Sequence, residues 1–256
     1  MSETPLKVTL DRDGKLLRLR LNAPKPNIVD AAMIAALSKA LADHAHQSKL
    51  RAVLLEHEGP HFSFGASVAE HMPDQCAQML KALHGLILQM VAYPLPILVT
   101  VKGQCLGGGL EVALAGHLMF AAPDARLGQP EIQLAVFAPA ASCLLPERMP
   151  RAIAEDMLYS GRSITGAEAA QYGLANASAE DPEAAALAYF DATLAKHSAS
   201  SLRFAVTAAR QDMVERVTKR IAFVEELYLK GLMATKDAVE GLTAFTEKRP
   251  ARWEDQ

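Results

Sequence analysis

Two glutamates, Glu111 and Glu131, each follow a glycine-containing turn and together indicate a site with paired carboxyl groups. Residues 107–111 read Gly-Gly-Gly-Leu-Glu, and residues 127–131 read Leu-Gly-Gln-Pro-Glu. Two carboxyl groups that share a small site repel each other when both are ionised, so one of them keeps its proton. Such a pair can provide a general acid and a general base for a proton-transfer reaction.

The glycines before Glu111 favour an anion-binding turn at the start of a helix. Glycine lets the backbone approach a ligand closely, and the first N–H groups of a helix have no intrahelical acceptor. Neither common phosphate-binding pattern fits, because no lysine follows the glycines and the spacing differs from GxGxxG. A second loop, residues 61–68, could supply one more N–H group. A tight packing turn and an aromatic loop packed on the core are the alternative interpretations.

Composition argues against several classes of protein. The chain has 256 residues, 50% of them hydrophobic, and a formal net charge of -3, so we expect no general attraction to nucleic acid or to an anionic membrane. Three widely separated cysteines argue against a disulfide framework, and neither they nor the eight histidines have metal-ligand spacing, so we expect no metal site. His61, His71, His117 and Cys105 are expected to be structural.

The first residues, Met1 to Pro5, lack the pattern of a secretory signal, and the apolar run near residues 97–101 is too short to cross a bilayer. The C-terminal residues carry no retention or peroxisomal signal. We therefore expect a cytoplasmic protein without a membrane-bound part.

Alternating helix and strand patterns predict an α/β fold with mostly parallel, buried strands. The predicted elements are strands at 7–10, 16–21, 52–55, 97–101 and 117–122, and helices at 31–44, 75–93 and 110–115, the first of these capped by Asp30. From about residue 183 only helices are predicted, at 183–195, 200–213 and 214–235.

Three segments taken together resemble the crotonase, or enoyl-CoA hydratase/isomerase, superfamily. They are the Phe-Ser-Phe-Gly-Ala loop at 62–66, the glycine turn with Glu at 103–111, and Gly-Gln-Pro-Glu at 128–131. The similarity runs from Asn22-Ala23-Pro24 and Asn27 through residues 160–164 and 173–176 to residues 245–250.

The resemblance implies a crotonase-type ββα spiral core at residues 1–195 and a C-terminal helical trimerisation lobe at residues 196–256. It implies an acyl-CoA substrate, in which coenzyme A is part of the substrate rather than a separate cofactor. It also implies a homo-oligomer, either a trimer or a dimer of trimers.

The same resemblance implies roles for individual residues. Ala66 and Gly108 match the two residues whose N–H groups form the oxyanion hole, and Glu111 and Glu131 match the carboxyl groups that activate water in hydratases. Which of the two is the acid is not decided by the sequence. Two further residues, Lys248 and Arg249, are candidates for contact with a CoA phosphate.

Departures from the usual pattern point to a flat, cyclic acyl group. Phe64 and Ser67 flank the Gly-Ala pair, and Val136 and Phe137 begin an alanine-rich run where the family often has glycines. These residues are expected to narrow the substrate pocket. The chain is similar here to hydratases of cyclic conjugated dienoyl-CoA in anaerobic aromatic degradation. The alternatives are a hydratase of short linear enoyl-CoA, a ring-opening hydrolase of the same pathway, and a non-enzymatic, RNA-associated protein of this fold.

Overall fold

A computed structural model describes residues 4–23 and 26–256. Met1 to Glu3 of the N-terminal segment, and Pro24 of the Asn22-Ala23-Pro24 segment, lie outside the described residues. Within the described ranges, no helix is both long and apolar enough to span a bilayer.

Two sheets form the framework of the described chain. Their strands are β1 (Leu6–Asp11), β2 (Leu16–Leu21), β3 (Ala52–His57), β4 (Ile97–Val101), β5 (Gln104–Leu106), β6 (Leu118–Ala121), β7 (Arg126–Gly128), β8 (Ser163–Thr165) and β9 (Ala177–Ser178). The larger sheet has the order β1-β2-β3-β4-β6-β9, and the smaller has the order β5-β7-β8. Only the β1–β2 and β7–β8 pairs are antiparallel among these strands, so the predicted hairpin and the mostly parallel sheet are confirmed.

The helices in chain order are α1 (Ala31–His44), α2 (Cys76–Val91), α3 (Gly108–Ala115), α4 (Pro139–Arg148), α5 (Arg151–Ser160), α6 (Gly166–Gln171), α7 (Pro182–Ala192), α8 (Ala199–Glu226) and α9 (Lys236–Glu247). Short 3-10 segments include Ala69–His71 and Pro130–Leu134, and a π-helical turn at Leu227–Gly231 follows α8. Asp30 caps α1 as predicted, because its side chain accepts a hydrogen bond from the Met33 N–H.

Helices cover both faces of the larger sheet, which explains why every residue of β3 and β4 is buried. The main core contains the buried faces of α1 and α2, together with α3 and α4. On the opposite face, Ala186 and Phe190 of α7 pack against residues of the sheet such as Leu54 and Phe120. The strands are thereby held rigidly, and the loops that follow them begin from fixed positions.

One prediction for the C-terminal region is wrong. Residues 200–213 and 214–235 do not form two helices, because α8 runs without interruption through Met213 and Val214 to Glu226. No glycine or proline lies within α8, so nothing in its backbone stops the helix there. Arg220 of α8 donates to the Ser142 carbonyl of α4 at 2.8 Å, which holds the long helix against the core. The division at residues 195 and 196 stays a prediction.

Helix α9 lies against the segment that carries Glu131, and Gly241 allows this close approach. A Cβ added at Gly241 would overlap the backbone carbonyl of Leu134. We expect Gly241→Ala to lower the free energy of unfolding by about 1–3 kcal/mol, because neither backbone can easily move away. Urea denaturation at a fixed protein concentration measures the change.

Gly85→Ala is the matched control, because Gly85 is an exposed residue of α2 with nothing within 4 Å of an added Cβ. That substitution should raise the free energy of unfolding by about 0.4–1 kcal/mol, as alanine is favoured in helices. Equal effects at the two glycines would contradict the packing argument.

Candidate active site

The loop after β3 runs beside β5, and this pairing brings Ala66 against Gly108. The Ser63 N–H donates to the Gln104 carbonyl, and the Leu106 N–H donates to the Ser63 carbonyl, both at 3.0 Å. A Cβ on Gly108 would lie 2.9 Å from the Ala66 Cβ and 3.1 Å from the Ala66 nitrogen. The two backbones are therefore in direct contact, and only a residue without a side chain fits at position 108.

Two backbone N–H groups are available at this contact. Gly108 is the first residue of α3, where an N–H group has no intrahelical acceptor. Within residues 4–23 and 26–256, neither the Ala66 nor the Gly108 N–H has a hydrogen-bond acceptor, and both residues line the same cavity. Two donors from separate rigid segments can stabilise an oxyanion, especially where water is excluded.

Glu111 lies in the first turn of α3 and is only 3% exposed. Its Oε1 atom accepts a hydrogen bond of 2.9 Å from the Ala141 N–H. Ala141 lies in the first turn of α4, whose N-cap residue, Ala138, has no side chain that could accept such a bond. The Glu111 carboxyl group therefore takes the place of a capping side chain, and the positive end of the α4 dipole favours its anionic form.

The pairing of β5 with β7 brings Glu131 close to the glycine turn that precedes Glu111. The Gly107 N–H donates to the Gly128 carbonyl at 3.0 Å, and a Cβ on Gly107 would lie 2.7 Å from Oε1 of Glu131. Gly107 also has a φ of +50°, a conformation that disfavours other residues. Gln129 is buried. In the amide orientation that satisfies the hydrogen bonds of Gln129 and Glu131, the Gln129 nitrogen donates to both Glu131 carboxyl oxygens at 3.0 Å.

The two carboxyl groups differ in the interactions that shift their pKa values. Burial, followed by the charge of Glu111, raises the pKa of Glu131 to about 8. Burial also raises the pKa of Glu111, but the N–H groups of Ala141 and Ala140 and the charge of His84 act in the opposite direction. The charge of Glu111 thus adds to the effect of burial at Glu131, whereas the helix N–H groups oppose the effect of burial at Glu111.

Both glutamates line one cavity of about 300 Å³. Its remaining walls are mostly apolar and are formed by Phe64, Gly65, Ala66, Val68, His71, Leu80, Leu83, Gly107, Gly108, Pro130, Gln133, Leu134, Val136, Phe137, Pro139, Leu242 and Phe245. A small apolar cavity with a few convergent polar groups is the usual form of a binding site for a small molecule.

Of the predicted pocket residues, Phe64, Val136 and Phe137 line this cavity and Ser67 does not. Phe64 is 44% exposed, so its ring lies at the entrance rather than in the interior. The Ser67 carbonyl is instead 2.7 Å from Nδ1 of His71. Ser67 therefore contacts His71 through its backbone carbonyl, and its side chain does not narrow the cavity.

The predicted phosphate-binding residues lie apart from this cavity. Arg249 is paired with Glu240 and Glu247, so its charge is neutralised within the chain. Lys248 is exposed and forms the left-handed C-cap of α9. Neither residue lines the cavity that holds the glutamates.

Three of the residues predicted to be structural have clear structural contacts. His61 Nδ1 accepts from the Gln104 N–H, and His117 Nδ1 accepts from the Ile97 N–H, both at 3.1 Å. Cys105 is fully buried, and burial raises the pKa of its thiol. His71 differs from the expectation, because its ring lines the cavity. Burial lowers the pKa of His71, so this wall is uncharged at neutral pH.

Sequence analysis also missed Gln129, Leu242 and Phe245. Gln129 is two residues before Glu131, which is a usable signal, whereas Leu242 and Phe245 come from α9 and have no local signal for a role in the cavity. Within the described part of the chain, no cluster of three or more His, Cys, Asp or Glu side chains could hold a metal ion.

The enoyl-CoA hydratase/isomerase family model matches residues 11–256. A cyclohexa-1,5-dienecarbonyl-CoA hydratase of Thauera aromatica is 67% identical over 258 residues, covering 100% of both chains. A probable enoyl-CoA hydratase of Bacillus subtilis is 29% identical and covers 97% of this chain and 99% of the relative.

Solved structures show the same fold. The crystal structure of an enoyl-CoA hydratase from Mycobacterium avium superposes with a TM-score of 0.87 at 24% identity, covering 99% of this chain and 100% of the other. The crotonase-type fold expected from the sequence is thus confirmed, with a helical C-terminal region. The chain belongs to the enoyl-CoA hydratase/isomerase family.

Proposed function

We propose that this protein adds water to cyclohexa-1,5-diene-1-carbonyl-CoA and forms 6-hydroxycyclohex-1-ene-1-carbonyl-CoA. The observation that carries the proposal is that Glu111 and Glu131 line one small cavity together with the Ala66 and Gly108 N–H groups. The relative from Thauera aromatica, 67% identical over its full length, carries the name of this activity. Coenzyme A enters as part of the substrate, and the proposal needs no separate cofactor.

The proposed roles follow from the protonation of the pair. Glu111 is the general base, because the α4 N-terminus stabilises its carboxylate through the Ala141 N–H. Glu131 is the general acid, because burial and the nearby Glu111 charge keep its proton in place at neutral pH. Ala66 and Gly108 donate their N–H groups to the thioester oxygen as negative charge develops there.

In the proposed reaction, Glu111 takes a proton from water while the water oxygen bonds to the β-carbon of the thioester. The electron pair of the broken double bond moves into a dienolate whose oxygen faces the two N–H groups. The Glu131 proton then bonds to the carbon at the far end of the diene, across the ring from the new hydroxyl group. Transfer of the proton from Glu111 to Glu131 restores the starting state.

The shape of the cavity supports a ring substrate. A volume of about 300 Å³ is at the lower end of the range of small-molecule sites. Phe137 in its wall packs edge-on against the buried Tyr228 with ring centroids 5.3 Å apart, so this wall cannot readily move away. A compact, flat acyl group fits such walls better than a long flexible chain.

Self-association is also part of the proposal, as a trimer or a dimer of trimers. Helix α8 exposes Phe204 and Phe223, which are 78% and 66% accessible, and Leu227 in the π-helical turn after it is also exposed. Large exposed apolar side chains on one long helix favour burial against another subunit. Lys248, which is exposed, is available to a CoA phosphate of the same or a neighbouring subunit.

A direct assay tests the substrate assignment. With purified protein, we expect kcat/KM for the cyclic dienoyl-CoA to exceed that for crotonyl-CoA by about tenfold or more, since the rigid pocket discriminates by shape. Mass spectrometry of the product should show the gain of one water that hydration requires. Faster turnover of crotonyl-CoA would assign the protein to linear substrates instead.

Replacing either glutamate should stop hydration. We expect Glu111→Gln and Glu131→Gln each to lower kcat by about 100-fold to 10,000-fold, the usual contribution of a general acid or base. KM should change little, and circular dichroism should show an unchanged fold. Glu155→Gln, at a position on α5 that does not line the cavity, is the control and should keep full activity. Activity retained in both active-site variants would exclude the mechanism.

Activity should fall above a pH of about 8. The raised pKa of Glu131, about 8, means that the acid is protonated below this pH and loses its proton above it. The acidic side of the profile reports Glu111, whose pKa is raised by burial and which must be ionised to act as the base. A kcat/KM profile from pH 4.5 to 10 shows both limits of the free enzyme. A plateau that extends to pH 10 would contradict the assignment of Glu131 as the acid.

A further inference from the structure

His71 is a polar side chain in the mostly apolar wall of the cavity that holds Glu111 and Glu131. It ends the short 3-10 segment Ala69–His71, directly after the loop of the proposed oxyanion hole. Its Nδ1 atom is 2.7 Å from the Ser67 carbonyl oxygen, four residues earlier in the chain. The orientation of the ring is therefore fixed by the backbone of its own segment.

This contact decides which ring nitrogen carries the proton. A carbonyl oxygen can only accept a hydrogen bond, so Nδ1 of His71 is the donor to Ser67. Burial lowers the pKa of His71, and the ring therefore carries a single proton at neutral pH. Nε2 is left with a free lone pair and is a hydrogen-bond acceptor.

Nε2 of His71 is also open to a ligand. Within residues 4–23 and 26–256, no protein group forms a hydrogen bond with this atom. The ring nitrogens that are both fully buried and without a partner include Nε2 of His84 and of His117, but not Nε2 of His71. The His71 nitrogen is therefore accessible, and the residue borders the substrate cavity.

Four side chains with polar atoms line the cavity in the described part of the chain, and they are Glu111, Glu131, Gln133 and His71. The two glutamates transfer protons in the proposed reaction. The amide nitrogen of Gln133 donates to the Gly161 carbonyl at 3.4 Å, so this side chain is bonded to the end of α5. His71 is thus an uncharged acceptor in the cavity that the proposed reaction does not use.

Hydration creates a group that needs such an acceptor. In the proposed reaction, Glu111 removes one proton of the water molecule, and the other proton stays on the new hydroxyl group. A hydroxyl hydrogen in an apolar cavity weakens binding unless it meets an acceptor. At that stage Glu111 carries the removed proton, and its Oε1 atom is already bonded to the Ala141 N–H. Glu131 serves the far end of the diene, which leaves His71 to accept from the hydroxyl group.

We propose that His71 is a specificity-determining residue whose Nε2 atom accepts a hydrogen bond from the hydroxyl group that hydration places on the acyl ring. The inference deepens the proposed function and rests on it, because the hydroxyl group is the product of that reaction. The cavity then distinguishes a hydroxylated ring from an unsubstituted one through a single hydrogen bond.

Binding of two ligands tests this inference: 6-hydroxycyclohex-1-ene-1-carbonyl-CoA, and cyclohex-1-ene-1-carbonyl-CoA, which lacks the hydroxyl group. Titration calorimetry in the Glu131→Gln background measures each Kd without turnover. His71→Asn keeps a nitrogen for the Ser67 carbonyl but has no atom at the Nε2 position. We expect it to raise the Kd of the hydroxylated ligand about fivefold to tenfold, the usual effect of one neutral hydrogen bond, and to change the other Kd by less than about twofold.

Two further variants complete the comparison. His71→Gln returns an amide oxygen to the Nε2 position and should restore most of the affinity for the hydroxylated ligand. His44→Asn is the matched control, because Nδ1 of His44 is also 2.7 Å from a carbonyl oxygen four residues earlier, that of Ala40, but His44 does not line the cavity. This control should change neither Kd. Equal losses for both ligands in His71→Asn, or no loss for either, would overturn the inference.

Nitrogen-15 NMR of the Glu131→Gln protein reads the His71 ring directly. The ring signals, identified by their loss in His71→Gln, should show a proton on Nδ1 and none on Nε2. The hydroxylated ligand should shift the Nε2 signal, and the ligand without the hydroxyl group should not. A proton on Nε2 in the unliganded protein would contradict the inference. Failure of the wild-type protein to hydrate the dienoyl thioester would instead overturn the proposed function, and both Kd values would still be measurable.

Discussion

The burial of two carboxyl groups in one small cavity is the constraint on which the site depends. Burial alone would protonate both groups, and a pair with two protons has no base. The structure separates them by giving Glu111 the N-terminus of α4, through the Ala141 N–H at 2.9 Å. Glu131 faces the Gln129 amide instead and lies in a short 3-10 turn, and the charge of Glu111 raises its pKa further. The asymmetry between acid and base in the proposed mechanism thus arises from the backbone of one helix.

This arrangement requires segments that are distant in sequence to approach within van der Waals contact. Parallel strands place the loops after β3 and β4 at one edge of the sheet, and the short strands β5 and β7 bring the Glu131 segment beside the glycine turn. Gly107 and Gly108 make the contact possible, because side chains there would meet Glu131 and Ala66 respectively. The glycines therefore serve packing and ligand access at once, and the two interpretations of the turn do not exclude each other.

Many of the helices and strands could be predicted from the sequence, since periodic apolar patterns and turn residues are local signals. The strand Ile97–Val101 and the helix Ala31–His44 are found as predicted. The capping of α4 by Glu111 could not be predicted, because its donor and acceptor are 30 residues apart and Ala138 gives no capping signal. The uninterrupted α8 was missed because its exposed apolar residues obscure the helical pattern. Whether the Ser67 side chain faces the cavity depends on tertiary contacts, which leave no local signal in the sequence.

The C-terminal region contributes to the cavity that holds the two glutamates. Helix α9 contributes Leu242 and Phe245 to the cavity, and Tyr228 of the π-helical turn supports the Phe137 wall. A π-helical turn inside a long helical segment often marks a functional position, and here it directs a fully buried ring toward the pocket. In the proposed oligomer, subunit contacts along α8 would therefore fix the same helical segments that shape the cavity. Selection of a flat ring would then depend on assembly, because the Phe137 wall is supported by Tyr228, which directly follows α8.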